Sequence, residues 1–351
     1  MKHMKQRVFV THPRGRLEDY FGDKAVAALA AVAEARFNPE DRELSTPELI
    51  EAAADSDAII AYRQTPAPRE LFAGLPRLAA FLRCAVDIRT VNVAAAGEHG
   101  VLVTQASAGF VPAVAEWVLG AMLDLARSTT VYASAYHRGR RPEPVMGREL
   151  CGATLGIIGY GRIARRLGEL GAALGMRVLV SDPHVEVSGH GVRSVDLPAL
   201  LAAADFVVCL AAANAQTANL MDARAFAALR PGSYFINASR GELVDEQALL
   251  AALDSGHLAG CALDVGRAAD QMPTPELARH PRVIATPHVG GLTPGAIEHQ
   301  ALETVAQVEA IFQGKIPPGA VNAAQATRLL KWGGAGQPEA EAADLRPALR
   351  S

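Results

Sequence analysis

The chain has 351 residues, with 34 lysines and arginines against 37 aspartates and glutamates, a formal net charge of −3. Half of the residues are hydrophobic and 20% are charged, which excludes disordered and collagen-like chains and gives no general attraction to nucleic acid or acidic membranes. At roughly 150 residues per domain the length implies two domains.

Met1-Lys2-His3-Met4-Lys5 runs straight into the strand-like Val8-Phe9-Val10, with no signal-peptide core. The longest apolar stretch, residues 199–213, is interrupted by Asp205, so no membrane span is expected. Cys84, Cys151, Cys209 and Cys261 lie far apart, as expected of buried small hydrophobes in a reduced, cytoplasmic protein.

Short β-branched runs then alternate with alanine- and leucine-rich helical runs. Ser45-Thr46-Pro47-Glu48 reads as a capped helix start. Asp57–Ala61, Leu78–Cys84 and Val101–Thr104 read as further strands. A long helix is expected over Pro112–Ala126, apolar on nearly every side and therefore buried at a domain junction or a subunit contact. Tyr136–Pro144 breaks the pattern, as either a solvated loop or an arm over a partner subunit. From Thr154 a second series predicts strands at 155–158, 178–181, 206–210, 234–236, 261–263 and 283–285. Asp222 and Asp245 occupy N-cap positions and Gly256 a C-cap. A last helix is expected over 294–313, and the tail after Asn322 is expected to be poorly ordered.

The chemistry-bearing motif is Leu155-Gly156-Ile157-Ile158-Gly159-Tyr160-Gly161-Arg162-Ile163-Ala164. An apolar strand enters a glycine pair and a helix leaves it. Gly159 permits a tight turn, Gly161 lets backbone approach a pyrophosphate at the helix start, and Ala164 allows close helix–strand packing. The next strand ends at Asp182, about 20 residues on, where a carboxylate meets the adenosine ribose and repels a 2′-phosphate. The expected cofactor is NAD, held around Gly159, Tyr160, Gly161, Arg162, Ile163 and Asp182.

Three later segments carry a resemblance: Phe235–Asp245 with Arg240, Ala262-Leu263-Asp264-Val265, and Ala285-Thr286-Pro287-His288-Val289-Gly290-Gly291. In this order behind the phosphate turn they resemble the D-isomer-specific 2-hydroxyacid dehydrogenase family. Looser matches at Ala94–Val101 and Val114-Ala115-Glu116 extend the resemblance over most of the chain. It implies two doubly wound parallel-sheet α/β domains, a Rossmann-type nucleotide domain (residues 112–302) inserted into a flavodoxin-like substrate domain (1–111 and 303–351), and a homodimer built on the nucleotide domains.

The residues make chemical sense for such a reaction. Arg240, always charged, forks across carboxylate and carbonyl oxygens. His288 donates a proton near neutral pH. By resemblance Ala238, Asp264 and Gly290 contact the cofactor, with Asp264 on the nicotinamide side. Arg63 and Gln64, the backbone at Val86 and Asp87, and Phe110 line the substrate side. His12, His99, His137, His184, His190, His257, His280 and His299 form no cluster with acidic or cysteine ligands, and no metal site is expected.

The sequence departs from the family at one catalytic position. The glutamate that usually pairs with the histidine aligns with Ala269, so Asp270, or else Gln271, is expected to approach His288 in its place. The expected activity is NAD-linked interconversion of a small D-2-hydroxy acid and its 2-keto acid. The alternatives are an NAD(H)-binding sensor or corepressor-like protein with little turnover, and an enzyme like formate dehydrogenase.

Overall fold

The computed structural model of the chain describes residues 6–189 and 191–332. The Met1–Lys5 segment, His190 and residues 333–351 lie outside them. The chain forms two compact units, one from the segments up to Gly109 and from Pro294 on, the other from Phe110–Thr293.

In the first unit, β1 (Arg7–Val10), β2 (Glu34–Phe37), β3 (Ala58–Ala61), β4 (Ala80–Arg83) and β5 (Leu102–Gln105) form a parallel sheet of order β2-β1-β3-β4-β5. Strands β3 and β4 are buried along their whole length because helices cover both faces. The edge strand β2, Glu-Ala-Arg-Phe, alternates in exposure and lacks the apolar run by which the others are read. The expected capping box is present: the Ser45 N–H and hydroxyl both donate to Glu48, at 2.8 and 2.7 Å.

The helix Pro294–Phe312 belongs whole to this unit, so the expected boundary at 302/303 falls inside one helix. Its Ala301, Val305, Val308 and Ile311 share a core with Val8, Val10, Ile60 and Leu82. Part of the tail after Asn322 is ordered, against expectation. Residues 323–332 contain two short 3₁₀ turns, Leu329 is buried in the same core, and Trp332 packs edge-on against Phe312.

In the second unit, β6 (Thr154–Ile158), β7 (Arg177–Ser181), β8 (Ser188–Gly189), β9 (Val192–Ser194), β10 (Phe206–Cys209), β11 (Ser233–Asn237), β12 (Leu258–Leu263) and β13 (Val283–Ala285) make one sheet of order β13-β12-β11-β10-β6-β7-β9-β8. All pairs are parallel except β8 with β9. The order reverses between β6 and β10, and ligands of such sheets bind outside the carboxyl ends of the strands at that point. Asp222 and Asp245 cap their helices, and Gly256 takes a positive φ of 75°.

The helix Val111–Arg127 buries one face, with Val114, Ala115, Val118, Met122 and Leu125, rather than every side. Leu123 is exposed on it, as are Val131 and Tyr136 on the following helix Thr129–His137 and Val145 and Met146 beyond. Of the four cysteines three are buried; Cys151 is exposed, contrary to the sequence expectation, and all four are free.

Candidate active site

At the carboxyl end of β6, Gly159 has φ +86°. A Cβ there would lie 2.6 Å from the Ala211 Cα and 2.7 Å from its nitrogen, so the turn is pressed against the chain leaving β10. Gly161 has the opposite environment: among the described residues nothing lies within 4 Å of its Cβ position. It begins the helix Arg162–Ala173, whose start no side chain caps. An uncapped start on a 12-residue helix, approached through an open glycine, is the physical form of a pyrophosphate site. Ala164 is fully buried, and a Cβ on Gly171 would meet the Leu155 side chain at 2.8 Å, so small residues let this helix lie close on β6. Tyr160 and Ile163 pack partly into the same core, Arg162 is exposed, and the Arg165 guanidinium lies 5.5 Å from the Tyr160 ring centre.

Asp182 follows β7 and is half-buried. It accepts the Tyr160 N–H at 2.7 Å and the His184 N–H at 2.8 Å. The expected ribose carboxylate is thus tied to the phosphate turn itself, and the residues present fit an adenine dinucleotide.

Arg240 and His288 follow β11 and β13. Arg240 is half-buried and donates from Nη1 to the Ser239 carbonyl at 2.7 Å. The chain before it is fixed by Asn237, whose amide bridges the Ser239 N–H and the Arg240 carbonyl, and by Ser239, whose hydroxyl donates to the Ala211 carbonyl at 2.5 Å. Ala238 is half-buried between them.

His288 is half-buried and has φ +57°. Its Nδ1 lies 2.8 Å from the main-chain carbonyl of Asp270. A carbonyl only accepts, so Nδ1 carries a proton and Nε2 is the nitrogen left for proton transfer. The expected acceptor is the Asp270 carboxylate; the acceptor of the Nδ1–H is instead the Asp270 main-chain carbonyl. Asp270 and Gln271 both have positive φ, 55° and 58°, and this double left-handed turn presents the carbonyl. Gln271, the other candidate, does not serve His288 directly. Its side chain accepts the Gly241 N–H and donates to Glu242, both at 3.2 Å.

Asp264 is 3% exposed and holds the histidine loop. It accepts from the Thr286 hydroxyl at 2.6 Å, the Val289 N–H at 2.8 Å and the Gly290 N–H at 2.7 Å. The resemblance implies a place on the nicotinamide side; in the structure its carboxylate holds this loop. Gly290 is needed for this packing, since a Cβ there would lie 2.8 Å from the Asp264 carboxylate. Phe110 is half-buried against Gly291, three residues past His288.

In the first unit, Arg63 and Gln64 follow β3, and Val86 and Asp87 follow β4; all four are half-buried. The Arg63 guanidinium lies 5.3 Å from the Tyr20 ring centre. Asp87 is turned onto Arg89, with a 2.8 Å ion pair and a bond from the Arg89 N–H at 2.9 Å. Its charge is thereby offset within its own loop. Arg83 is fully buried and ties the two loops together, donating to the carbonyls of Tyr62 and Thr65 and to the Thr90 hydroxyl. Burial pushes its guanidinium down to about 10, still a cation at neutral pH.

The family model described as "D-isomer specific 2-hydroxyacid dehydrogenase, NAD binding domain" matches residues 119–290. The chain is 34% identical over 300 residues to the (S)-sulfolactate dehydrogenase of Chromohalobacter salexigens, covering 83% of this chain and 96% of that protein. The chain belongs to the D-isomer specific 2-hydroxyacid dehydrogenases. The second unit contains the family's NAD-binding domain, and NAD is its cofactor. The chain is also 32% identical over 313 residues to the D-3-phosphoglycerate dehydrogenase of Mycobacterium tuberculosis, covering 87% of this chain but spanning only 58% of that protein's length. The apo-structure of the Escherichia coli D-lactate dehydrogenase shares the fold, with a TM-score of 0.80 at 23% identity over 90% of this chain and 99% of that one.

Sequence reasoning missed the supporting contacts. Arg267 donates to the carbonyls of Glu242 and Val244 and to Asn219, locking the turn after Arg240 to the loop after β12. No motif marks such a residue, because most of its acceptors are main-chain carbonyls.

Proposed function

We propose that the protein is an NAD-dependent oxidoreductase that interconverts a small D-2-hydroxy acid and its 2-keto acid. The observation that carries this reading is His288: beyond β13 of an NAD-binding unit, its Nδ1 is fixed on a carbonyl and Nε2 is left for the substrate. When bound, NADH supplies the hydride. Arg240, after the strand paired between β10 and β12, supplies a planar fork for the carboxylate and the keto oxygen and stabilises negative charge growing on that oxygen. His288 protonated at Nε2 gives its proton to the alkoxide, so one hydride and one proton convert keto acid to hydroxy acid. Oxidation runs the same transfers backwards.

On the first unit, Arg63, Gln64 and the N–H groups at Val86 and Asp87 are proposed as anion-binding elements. An apolar Phe110 suits a substrate with a hydrophobic portion. The sensor and formate alternatives lack this support, because neither requires a histidine with a fixed donor nitrogen. A cytoplasmic homodimer completes the proposal, supported by four free cysteines and by the exposed apolar residues on Val111–Arg127 and Thr129–His137. No described helix is long and apolar enough to cross a membrane.

The test is NADH oxidation by the purified protein against a panel of 2-keto acids, with formate plus NAD in parallel. Turnover of keto acids is expected. Activity with formate alone would move the assignment.

A further inference from the structure

We propose that Gln271 is a positioning residue that couples the orientation of His288 to the turn carrying Arg240, in a chain where the usual carboxylate partner is replaced by alanine. The inference rests on the roles given to those two residues above.

Four hydrogen bonds and two dihedral angles link these residues. The main chain at 270–271 turns through two successive left-handed residues, a conformation costly for non-glycine residues and concentrated at functional sites. That turn aims the Asp270 carbonyl at His288 Nδ1, 2.8 Å away. The Gln271 carbonyl closes the turn by accepting the Gly266 N–H at 2.8 Å. If shape were the only requirement, glycine would meet it at lower cost. Glutamine adds two side-chain bonds, and both run to the segment just after Arg240: Oε1 accepts from Gly241 N–H, and Nε2 donates to Glu242 Oε1. The side chain therefore ties the residue after Arg240 to the residue after the carbonyl that holds His288. A displacement at one end is transmitted to the other through one amide.

Two variants separate this role from backbone shape. Gln271→Gly keeps the left-handed turn and relieves its strain, while Gln271→Met keeps the length of the side chain; each removes both amide bonds. Both should fold, with a melting temperature no lower for the glycine variant. Both should lose about tenfold in kcat for keto-acid reduction, with the NADH Kd unchanged. A second readout needs no turnover. With ¹⁵N-labelled imidazole at alkaline pH, wild-type His288 should show a single tautomer protonated at Nδ1, and both variants should show averaging of the two tautomers.

Folded variants that keep the wild-type kcat and the wild-type imidazole spectrum overturn the proposal, as does a wild-type His288 protonated at Nε2. A wild-type protein that reduces no keto acid overturns the proposed reaction instead, and the spectrum still decides the part played by Gln271.

Discussion

His288 donates its orienting hydrogen bond, from Nδ1, to the main-chain carbonyl of Asp270, 2.8 Å away. A backbone acceptor holds the imidazole without bringing a charge and is insensitive to the identity of residue 270. With Nδ1 already satisfied, a carboxylate added nearby has no vacant hydrogen to take. Ala269→Glu should therefore leave kcat/KM for keto-acid reduction within about threefold of wild type, because a displaced neutral bond offsets much of what a new charged one contributes. A tenfold gain or loss in steady-state assays would show that residue 269 reaches the imidazole after all.

Arg240→Lys keeps the charge and removes the fork. Planar two-point contact with carboxylate and carbonyl is then lost, and kcat/KM should fall by about a hundredfold or more, equivalent to roughly 3 kcal/mol of transition-state stabilisation. NADH affinity measured by calorimetry should remain near wild type. Undiminished turnover would remove Arg240 from the chemistry.

The two glycines of the phosphate turn should respond differently to alanine. At Gly159 the new Cβ meets backbone at 2.6 Å and φ is +86°, so Gly159→Ala should cost roughly 2–4 kcal/mol in denaturant unfolding. Gly161→Ala enters open space and should leave stability unchanged, yet weaken NADH at least tenfold by placing a methyl group where phosphate approaches. Equal effects of the two substitutions on stability would contradict this division.

His12 sits 1% exposed between the rings of Phe21 and Tyr62, and burial pushes its imidazole down from 6.5 to about 3. The folded state favours the neutral ring, so the stability linked to His12 is fully present above about 6.5 and is lost as the pH falls from there towards 3. Between neutral pH and pH 5 the loss should be roughly 2 kcal/mol. Urea unfolding at both pH values, compared with His12→Phe, isolates it. If the variant keeps the same acid sensitivity as wild type, His12 is not the group responsible.

Assembly is tested by light scattering. Leu123, Val131, Tyr136, Val145 and Met146 leave an apolar surface exposed on the single chain. A mass near twice 36.9 kDa is expected, reduced to the single-chain mass in Val131→Asp. A wild-type protein that stays at the single-chain mass at all concentrations removes the homodimer.

Much of the fold could be read from the chain because its strands are apolar runs bounded by turns, the pattern that sheets buried on both faces impose. Strand β2 escaped because Glu34 and Arg36 break its run, and β8 and β9 because they are only two and three residues long at the sheet edge. The site divides in the same way. Gly159, Gly161, Asp182, Arg240 and His288 could be singled out because their side chains, or the lack of one, are specific to the chemistry. The carbonyl of Asp270, the tethers of Gln271 and Arg267 and the loop-holding task of Asp264 depend on main-chain direction, which one residue letter does not encode. The double left-handed turn at 270–271 left no glycine to announce it.

The interrupted first unit has a consequence for synthesis on the ribosome. Its core joins Val8 and Val10 to Ala301, Val308 and Leu329, so the strands up to β5 cannot close that core until the helix Pro294–Phe312 and the turns after it have been translated. Phe110–Thr293 is contiguous and has what it needs as soon as its own last strand leaves the exit tunnel. The usual vectorial order, in which the domain begun first matures first, is thereby reversed between these two units, and the earlier-made segment must wait, with apolar strands uncovered, for its closing helix.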